Sequence, residues 1–327
     1  MNLHLDKDSF EGAIVIAAEH FKVSEILIEK DYWVTYALRE LFLSKVKDSI
    51  VFKGGTSLSK CYKIINRFSE DIDLIIIKGP ADSGNALKNK LKEVTNITDD
   101  SLLSPIDDHP SSNKKGSIRK IVYSFPKLGM QGEYGEVGEF ISVEVSHMGS
   151  SEPSETKYIC SMIAEYVKKS QSPELIETFG LEDFKVTALG IERTFCEKII
   201  SLVRFSHTEK PIEELSKKVR HTYDLHLLLK QDKIKEFTAS KKFDQMLLQV
   251  GLDDDKAIPN NKDWLYIHPG DALLFKSTAA VWDQLKKIYI STFKEMVTGE
   301  FPNEDEVLET LIFLSQRIQK MDWPITK

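Results

Sequence analysis

The sequence predicts an α/β plus α fold, in which a small mixed sheet with flanking helices is followed by a mostly helical C-terminal region. Residues 51–77 have the pattern of a strand, a glycine turn, a helix and a second strand. Residues 118–126 and 139–147 alternate apolar with polar side chains, which is typical of strands with one buried face. From Lys185 to the C-terminus the apolar residues recur at helical spacing. Strands followed by a run of helices favour an α/β core with a helical part beside it.

Length and composition indicate a globular protein with two domains. A chain of 327 residues exceeds a typical single domain, and we expect a core with N-terminal helices over residues 1–184 and a helical domain over residues 185–327. No apolar run approaches the length of a membrane span, and the N-terminus lacks a signal-peptide pattern. The three cysteines are far apart in the sequence and form no CxxC motif. We expect them to be buried free thiols in a reducing compartment. We therefore expect a cytoplasmic protein that does not enter membranes.

The remaining elements follow in chain order. Residues 8–45 have the pattern of two helices, and we expect the charged residues within 29–34 to form a surface cluster on the second of them. Residues 251–263, with three successive aspartates, have the pattern of a connecting loop. We expect further helices at residues 85–95, 157–169 and 189–200, a loop at 101–120, and two long helices within 272–320.

A glycine turn lies at the centre of residues 51–77. Gly54 and Gly55 allow backbone amides to approach a ligand closely, and Thr56 and Ser57 are good N-caps for the helix that follows. Backbone amides at such a turn attract phosphate oxygens. Glycine pairs are also common in ordinary turns, so this signal alone does not establish a phosphate site.

An acidic pair follows the turn. Asp71 and Asp73 are two residues apart in the predicted strand, so both side chains point to one side. Two adjacent carboxylates repel each other unless a cation lies between them, and their hard oxygen atoms suit Mg²⁺. An Asp-x-Asp pattern also arises by chance. Here it begins a strand that is otherwise apolar, where aspartate costs desolvation energy that a structural role would not require.

This region resembles the first motif of a known toxin family. The matching residues are Gly54-Gly55-Thr56-Ser57 and Arg67-Phe68-Ser69-Glu70-Asp71-Ile72-Asp73-Leu74. They are similar to the first motif of the AbiEii/AbiGii-type nucleotidyltransferase toxins, which belong to the polymerase-β-like nucleotidyltransferase superfamily. The resemblance implies that the glycine turn binds the phosphates of an NTP and that the two aspartates are catalytic metal ligands.

Three later positions extend the resemblance. Superfamily members often have a third carboxylate on a strand beside the acidic pair, and Glu144 is the candidate for it; the alternative is an ordinary exposed strand residue. Glu197-Lys198-Ile199 resembles the third motif, whose lysine is catalytic, although a lysine on an apolar helix is usually a snorkelling surface residue. Residues 218–225 resemble the fourth motif and supply Asp224 as a catalytic residue. His221 departs from the family pattern, which often has an aspartate there.

The resemblance implies a function as well as a site. Its members transfer a nucleoside monophosphate from an NTP to an acceptor and release pyrophosphate, with Mg²⁺ in a two-metal arrangement. It further implies an RNA acceptor, the 3′ end of tRNA, an antitoxin encoded alongside, and a role in abortive infection and phage defence. Two alternatives remain: an NMP transferase that modifies proteins, and a non-catalytic interaction module with the same fold. The intact acidic pair argues against the second.

An acidic protein that acts on RNA needs local basic surface, because the net charge is −7. Between Asp108 and Glu133 there is no acidic residue, and Lys217, Lys218 and Arg220 form a second basic cluster. Either segment could contact RNA phosphates, and the alternative is a solvated face. The basic residues of the first segment are Lys114, Lys115, Arg119, Lys120 and Lys127.

Overall fold

A mixed sheet of seven strands lies at the centre of the fold in the computed structural model. The sheet has the order β3-β4-β5-β2-β1-β7-β6. The β5–β2 and β1–β7 pairs are parallel, and the other neighbours are antiparallel. The strands are β1 (Ile50–Lys53), β2 (Asp71–Ile76), β3 (Ser104–Pro105), β4 (Ile118–Ser124), β5 (Ile141–Ser146), β6 (Ser154–Ile159) and β7 (Phe184–Leu189). The structure describes residues 1–69, 71–99, 101–114, 116–130, 138–170, 172–257 and 263–325.

The chain divides into two compact units, and the sheet belongs to the first. The first unit comprises residues 1–63, 68–147 and 154–189; the second comprises residues 64–67, 148–153 and 190–327. The predicted α/β plus α fold class is confirmed. The domain boundary predicted between residues 184 and 185 stays a prediction.

Helices cover one face of the sheet in the first unit. Apolar residues that alternate along β2 and β5, such as Leu74 and Val143, pack with Phe10, Trp33 and Leu91 of the helices in one large core. Because this face takes every second residue of a strand, Asp71, Asp73 and Glu144 must project from the other face. The helices are α1 (Lys7–Phe21), α2 (Glu25–Leu43), α3 (Gly54–Lys60), α4 (Gly84–Asp99), α5 (Met162–Lys169) and α6 (Glu174–Thr178).

The charged residues of α2 are buried, so the surface cluster predicted within residues 29–34 is wrong. Glu29 and Lys30 are fully enclosed, and Asp31 is nearly so. Each has a partner that is distant in sequence. Glu29 accepts a hydrogen bond from the Leu128 amide at 2.6 Å, Lys30 donates to a backbone carbonyl at 2.7 Å, and Asp31 lies 2.6 Å from the Lys60 ammonium. These buried polar contacts fix α2 within the unit.

The second unit consists mostly of helices between residues 191 and 318. Helix α14 begins with a complete capping box, in which Asn303 and Glu306 each accept a hydrogen bond from the other's backbone amide. Trp282 and Tyr289 are among the buried residues of the second unit. The helices are α7 (Ile191–Phe205), α8 (Pro211–Ser216), α9 (Val219–Leu229), α10 (Asp232–Ala239), α11 (Lys241–Ala257), α12 (Leu273–Lys276), α13 (Thr278–Ile288), a π-helical turn (Tyr289–Phe293) and α14 (Glu304–Ile318).

Several predicted elements differ from the structure. Phe184–Leu189 is a strand rather than helix, because it pairs with β1 and β6 in the sheet. The predicted helix at 157–169 is a strand to Ile159 and a helix from Met162. The predicted loop at 251–263 begins as the last turns of α11. Across the described ranges, no helix combines the length and the apolar character that crossing a lipid bilayer requires.

Candidate active site

Four charged residues form a row across four neighbouring strands of the first unit. Lys53 on β1 lies opposite Asp73 on β2, and Asp73 in turn lies opposite Glu144 on β5. Glu144 also lies opposite Lys120 on β4. Directly paired residues project from the same face of a sheet, so the order of charges is plus, minus, minus, plus. Together with Asp71, which shares this face two residues before Asp73, these residues are called the charged row.

Burial and repulsion both act on the carboxylates of the charged row. Burial, followed by the negative charges of Asp71 and Glu144, raises the pKa of Asp73 to about 7. The lysines at the two ends of the row oppose this shift only in part. At neutral pH a proton therefore competes for a carboxylate that a cation would stabilise in its ionised form.

Glycine is required at the turn beside this row. The backbone of Gly54 is left-handed, with φ of +79°. A Cβ atom on Gly54 would lie 2.1 Å from Oδ2 of Asp73, far inside van der Waals contact. The absence of a side chain at Gly54 thus allows the turn and the carboxylate to lie against each other.

The hydroxyl groups near the turn have different roles. Helix α3 begins at Gly54, so Thr56 and Ser57 lie inside it and are not its N-caps. The Thr56 hydroxyl donates to the carbonyl oxygen of Asp71 at 2.5 Å and so fixes the start of the acidic strand. The Ser57 Oγ atom is buried and has no hydrogen-bond partner among the described residues. A buried hydroxyl without a partner is costly, and a ligand oxygen would satisfy it.

A second such hydroxyl lies on the face of the charged row. Ser142 on β5 is directly opposite Asp71 on β2. Its side chain is 1% exposed, and its Oγ atom has no hydrogen-bond partner in the described part of the chain. The acidic face therefore holds a buried polar atom as well as the carboxylates.

The oxygen donors of this face fit a hard divalent cation that is bound together with substrate. In the described ranges no three carboxylate, histidine or cysteine side chains converge closely enough to hold a metal by themselves. Mg²⁺ usually takes one or two carboxylates and completes its coordination with phosphate oxygens and water. Asp71, Asp73 and Glu144 offer carboxylates of that kind, and the repulsion at Asp73 favours a cation there.

An ionic trio is buried in the second unit. Arg67 donates two hydrogen bonds to Asp224, from Nε to Oδ1 at 2.7 Å and from Nη2 to Oδ2 at 2.8 Å. The Lys198 ammonium lies 2.6 Å from Oδ2 of Asp224. All three side chains are at most 7% exposed. We call Arg67, Lys198 and Asp224 the ionic trio.

The two cations determine the ionisation of Asp224. Burial alone would raise the pKa of Asp224, but the charges and hydrogen bonds of Arg67 and Lys198 lower it well below its ordinary value. Burial lowers the pKa of Lys198, while Asp224 acts in the opposite direction. Lys198 is thus a partnered, enclosed ammonium rather than a snorkelling surface residue.

His221 lies next to this trio in the fourth motif. Burial, and then the charge of Lys198, lowers the pKa of His221 well below its usual range, so the imidazole is neutral. Its Nδ1 atom is buried and has no hydrogen-bond partner among the described residues. The position where the resemblance leads us to expect an aspartate thus carries an uncharged ring.

The structure places the predicted site residues in two groups. Asp71, Asp73, Glu144 and the glycine turn come together in the first unit. Lys198 and Asp224 come together in the second. Sequence reasoning missed the place of Lys120 in the charged row, since the pairing of β4 with β5 carries no local sequence signal.

The basic residues between Asp108 and Glu133 do not form one surface. Arg119 and Lys120 project from opposite faces of β4; Arg119 donates to the Thr95 hydroxyl at 2.7 Å, and Lys120 belongs to the charged row. Lys127 is paired with Glu139 at 2.7 Å. Lys114 is exposed, and Lys115 lies outside the described residues.

Comparison with known proteins gives a family and a similar structure. A family model described as nucleotidyl transferase AbiEii toxin, type IV TA system, matches residues 36–310. Among solved structures the chain is similar to MenT4, a nucleotidyltransferase toxin from Mycobacterium tuberculosis H37Rv, with 16% sequence identity and a TM-score of 0.46 over 92% of this chain and 98% of that one. No curated protein sequence matches the chain.

Proposed function

Because this chain belongs to the AbiEii family of nucleotidyltransferase toxins of type IV toxin–antitoxin systems, as its motifs predicted, we propose that it transfers a nucleoside monophosphate from an NTP to the 3′ end of a tRNA. Membership makes it a nucleotidyltransferase with an NTP substrate and an antitoxin partner. The acceptor, the metal and the residue roles are our proposal.

The charged row is the observation that carries this proposal. We assign Asp71, Asp73 and Glu144 to hold Mg²⁺, since their carboxylates share one face, and since burial and the charges of Asp71 and Glu144 raise the pKa of Asp73. Bound there in a two-metal arrangement, Mg²⁺ would lower the pKa of the attacking hydroxyl and offset charge on the triphosphate. Asp71 and Asp73 orient the reacting groups because both are fixed on one rigid strand.

The turn beside the charged row would contact the phosphates. Gly54 and Gly55 begin α3 and carry no side chain that would obstruct the approach of a phosphate to their backbone amides. The unpartnered Ser57 hydroxyl can donate to a phosphate oxygen. Thr56 acts indirectly, since its hydroxyl already holds the carbonyl of Asp71.

Lys198 and Asp224 are assigned to the same reaction through the family motifs. An ammonium is a compact charge that can neutralise developing negative charge on a phosphate chain. Asp224 holds the Lys198 ammonium at 2.6 Å and is itself held by Arg67. Asp224 is thus a positioning residue for Lys198.

The biological setting follows from the proposed acceptor. A tRNA with a modified 3′ end cannot be charged, so translation stops and growth arrests. Both substrates occur in the cytoplasm, and we place the reaction there. Growth arrest of this kind would serve abortive infection and phage defence.

Labelled nucleotides test the proposal directly. Purified protein is incubated with each α-labelled NTP, Mg²⁺ and total RNA, and RNA and protein are separated on gels. We expect label in the tRNA band, none with Asp73→Asn, and wild-type labelling with Asp48→Asn, which alters an exposed aspartate of the same unit. Label in a protein band would identify a protein-modifying enzyme, and no label with any NTP would contradict nucleotidyl transfer.

Lys198 has its own test in the same assay. Lys198→Ala should lose most of the labelling, and Lys198→Arg should not restore it fully, because a planar guanidinium replaces a compact ammonium. Manganese binding by Lys198→Ala, measured by electron paramagnetic resonance, should match wild type. Full labelling by the alanine variant would remove Lys198 from the reaction.

A further inference from the structure

Lys120 differs from a structural lysine in the way that it meets its carboxylates. Its Nζ atom lies 3.7 Å from Oδ1 of Asp71 and 3.9 Å from Oε2 of Glu144. Both distances are within ion-pair range but too long for a hydrogen bond. Among the described residues the Lys120 ammonium donates no hydrogen bond, and its side chain is 27% exposed.

Lys60, in the same unit, shows what a permanent pair looks like. Its ammonium lies 2.6 Å from Oδ1 of Asp31 and 2.7 Å from the Thr35 hydroxyl, and its side chain is 8% exposed. Two short hydrogen bonds in an enclosed site hold that ammonium in one place. The Lys120 ammonium, in contrast, is shared between two carboxylates and donates no hydrogen bond to either. The Lys120 side chain is also more exposed to solvent than that of Lys60.

We propose that Lys120 is an exchangeable counter-cation of the charged row, which occupies the carboxylates until a divalent cation displaces it and which then binds a phosphate oxygen of the NTP. This inference rests on the proposed metal site. It adds Lys120, which none of the family motifs in this sequence includes. It also explains why the charged row has a lysine at its β4 end.

Charge balance supports an exchange rather than joint occupancy. The row holds the three carboxylates Asp71, Asp73 and Glu144 against two ammonium groups, so Lys53 and Lys120 together leave one negative charge unbalanced. A divalent cation at the same carboxylates would satisfy them and would repel an ammonium a few ångströms away. The flexible four-carbon stem of lysine allows the head group to move without a change in the strand.

The polar lining of this face also indicates that a ligand is to be bound. The Ser142 hydroxyl is buried opposite Asp71 and has no hydrogen-bond partner among the described residues. Lys120 does not satisfy it. If Lys120 occupied the site permanently, we would expect the buried Ser142 hydroxyl to have a hydrogen-bond partner there.

Binding of Mn²⁺, a spectroscopic probe for Mg²⁺, tests the exchange in the absence of nucleotide. Titrations followed by electron paramagnetic resonance at pH 8.5 would compare wild type with Lys120→Met and Lys120→Arg. We expect Lys120→Met to bind Mn²⁺ roughly tenfold more tightly, as removal of a unit charge near a divalent ion implies in a water-like medium. Lys120→Arg should bind more weakly than wild type, because a guanidinium fork holds two carboxylates more firmly.

Lys157 provides the matched control. It lies on β6 of the same sheet, its side chain is 28% exposed, and it is 3.0 Å from Glu155. Lys157→Met should leave Mn²⁺ affinity unchanged. In the transfer assay Lys120→Met should raise the KM for NTP, since the ammonium no longer reaches phosphate, whereas Lys157→Met should not.

The outcomes separate this inference from the function on which it rests. Thermal melting first establishes that each variant is folded. If Asp73→Asn binds Mn²⁺ as wild type does, the proposed metal site is wrong. If Asp73→Asn loses Mn²⁺ while Lys120→Met and Lys120→Arg both keep wild-type affinity, the metal site stands and the exchange is overturned. Weaker Mn²⁺ binding by Lys120→Met would also overturn it, because the lysine would then organise the carboxylates instead of competing for them.

Discussion

The charged row and the ionic trio both remove carboxylates from water, but they balance the charge in opposite ways. In the charged row, burial and then repulsion from Asp71 and Glu144 raise the pKa of Asp73 to about 7. In the ionic trio, Arg67 and Lys198 lower the pKa of Asp224 and supply short hydrogen bonds. The row is thus incomplete without a further cation, whereas the trio is complete within the protein.

This difference assigns distinct roles to Asp73 and Asp224. Removing a carboxylate from a repelling group relieves unfavourable energy in the unliganded protein. Removing the carboxylate of a satisfied buried pair leaves cations without compensation. The sign of the stability change therefore distinguishes a ligand site from a structural one, and the variants below test it.

The largest effect is expected for Asp224→Asn. This change leaves the guanidinium of Arg67 and the ammonium of Lys198 buried without a counter-charge, and should lower the free energy of unfolding by about 3–5 kcal/mol. Urea titration measures the loss, and hydrogen exchange in peptides from α7 and α9 locates it. Asp232→Asn is the control, because the Asp232 carboxylate is 90% exposed in its pair with Lys235. A loss below about 1 kcal/mol would mean that the trio is not a satisfied buried cluster.

An intermediate effect is expected for Gly54→Ala, which places a Cβ atom against the Asp73 carboxylate of the charged row. The left-handed backbone costs about 1–2 kcal/mol with a side chain present, and the clash of the new Cβ with the Asp73 carboxylate adds to this. Urea titration of the single variant and of Gly54→Ala with Asp73→Ala separates the two costs, since the second change removes the clashing carboxylate. Gly12→Ala, where a Cβ meets nothing within 4 Å in α1, should instead be neutral or stabilising. Equal costs of Gly54→Ala in both backgrounds would rule out the clash.

The smallest effect concerns the pH dependence of stability. With a pKa of about 7 in the folded protein and an ordinary, lower value in the unfolded chain, Asp73 retains a proton on folding that the unfolded chain has released. Wild-type stability should therefore fall as pH rises from about 4 to 7 and level off above that range. Asp73→Asn lacks this component, so relative to wild type it should be about 1–2 kcal/mol more stable at pH 8 than at pH 6 in the presence of EDTA.

Melting temperatures of both proteins at the two pH values measure this difference. Mg²⁺ should reduce it, because a bound cation favours the ionised form of Asp73. A difference of the opposite sign would mean that Asp73 is stabilised as a carboxylate in the unliganded protein.

Local patterns were sufficient to predict the acidic side of the fold. Asp71 and Asp73 stand in an apolar strand, and the two-residue period alone places both on one face. Glu144 was chosen through the family resemblance, which implies a third carboxylate on a strand beside the pair, and the alternation along β5 gave only its face. These features depend on residues that are close in sequence, and the structure places all three carboxylates on the face that the alternation indicated.

Features that depend on distant residues were not predictable. The burial of Glu29 could not be read from α2, because its partner is the Leu128 amide. Lys120 was interpreted as an RNA contact, and only the register of β4 against β5 reveals its position opposite Glu144. The aspartates within residues 251–263 were predicted to lie in a loop, whereas Asp253 and Asp254 lie on α11 and form ion pairs with arginines of α7.

The pairing of β1 has a consequence for how the chain folds as it is made. This central strand is completed on one side only when Phe52 meets Ala188 on β7, which the ribosome synthesises much later. Segments fold in the order in which they emerge, and contacts between distant segments form slowly. A nascent chain that has not reached Leu189 therefore exposes an unpaired edge of β1. The sheet that holds the charged row is thus completed only after more than half of the 327-residue chain has been synthesised.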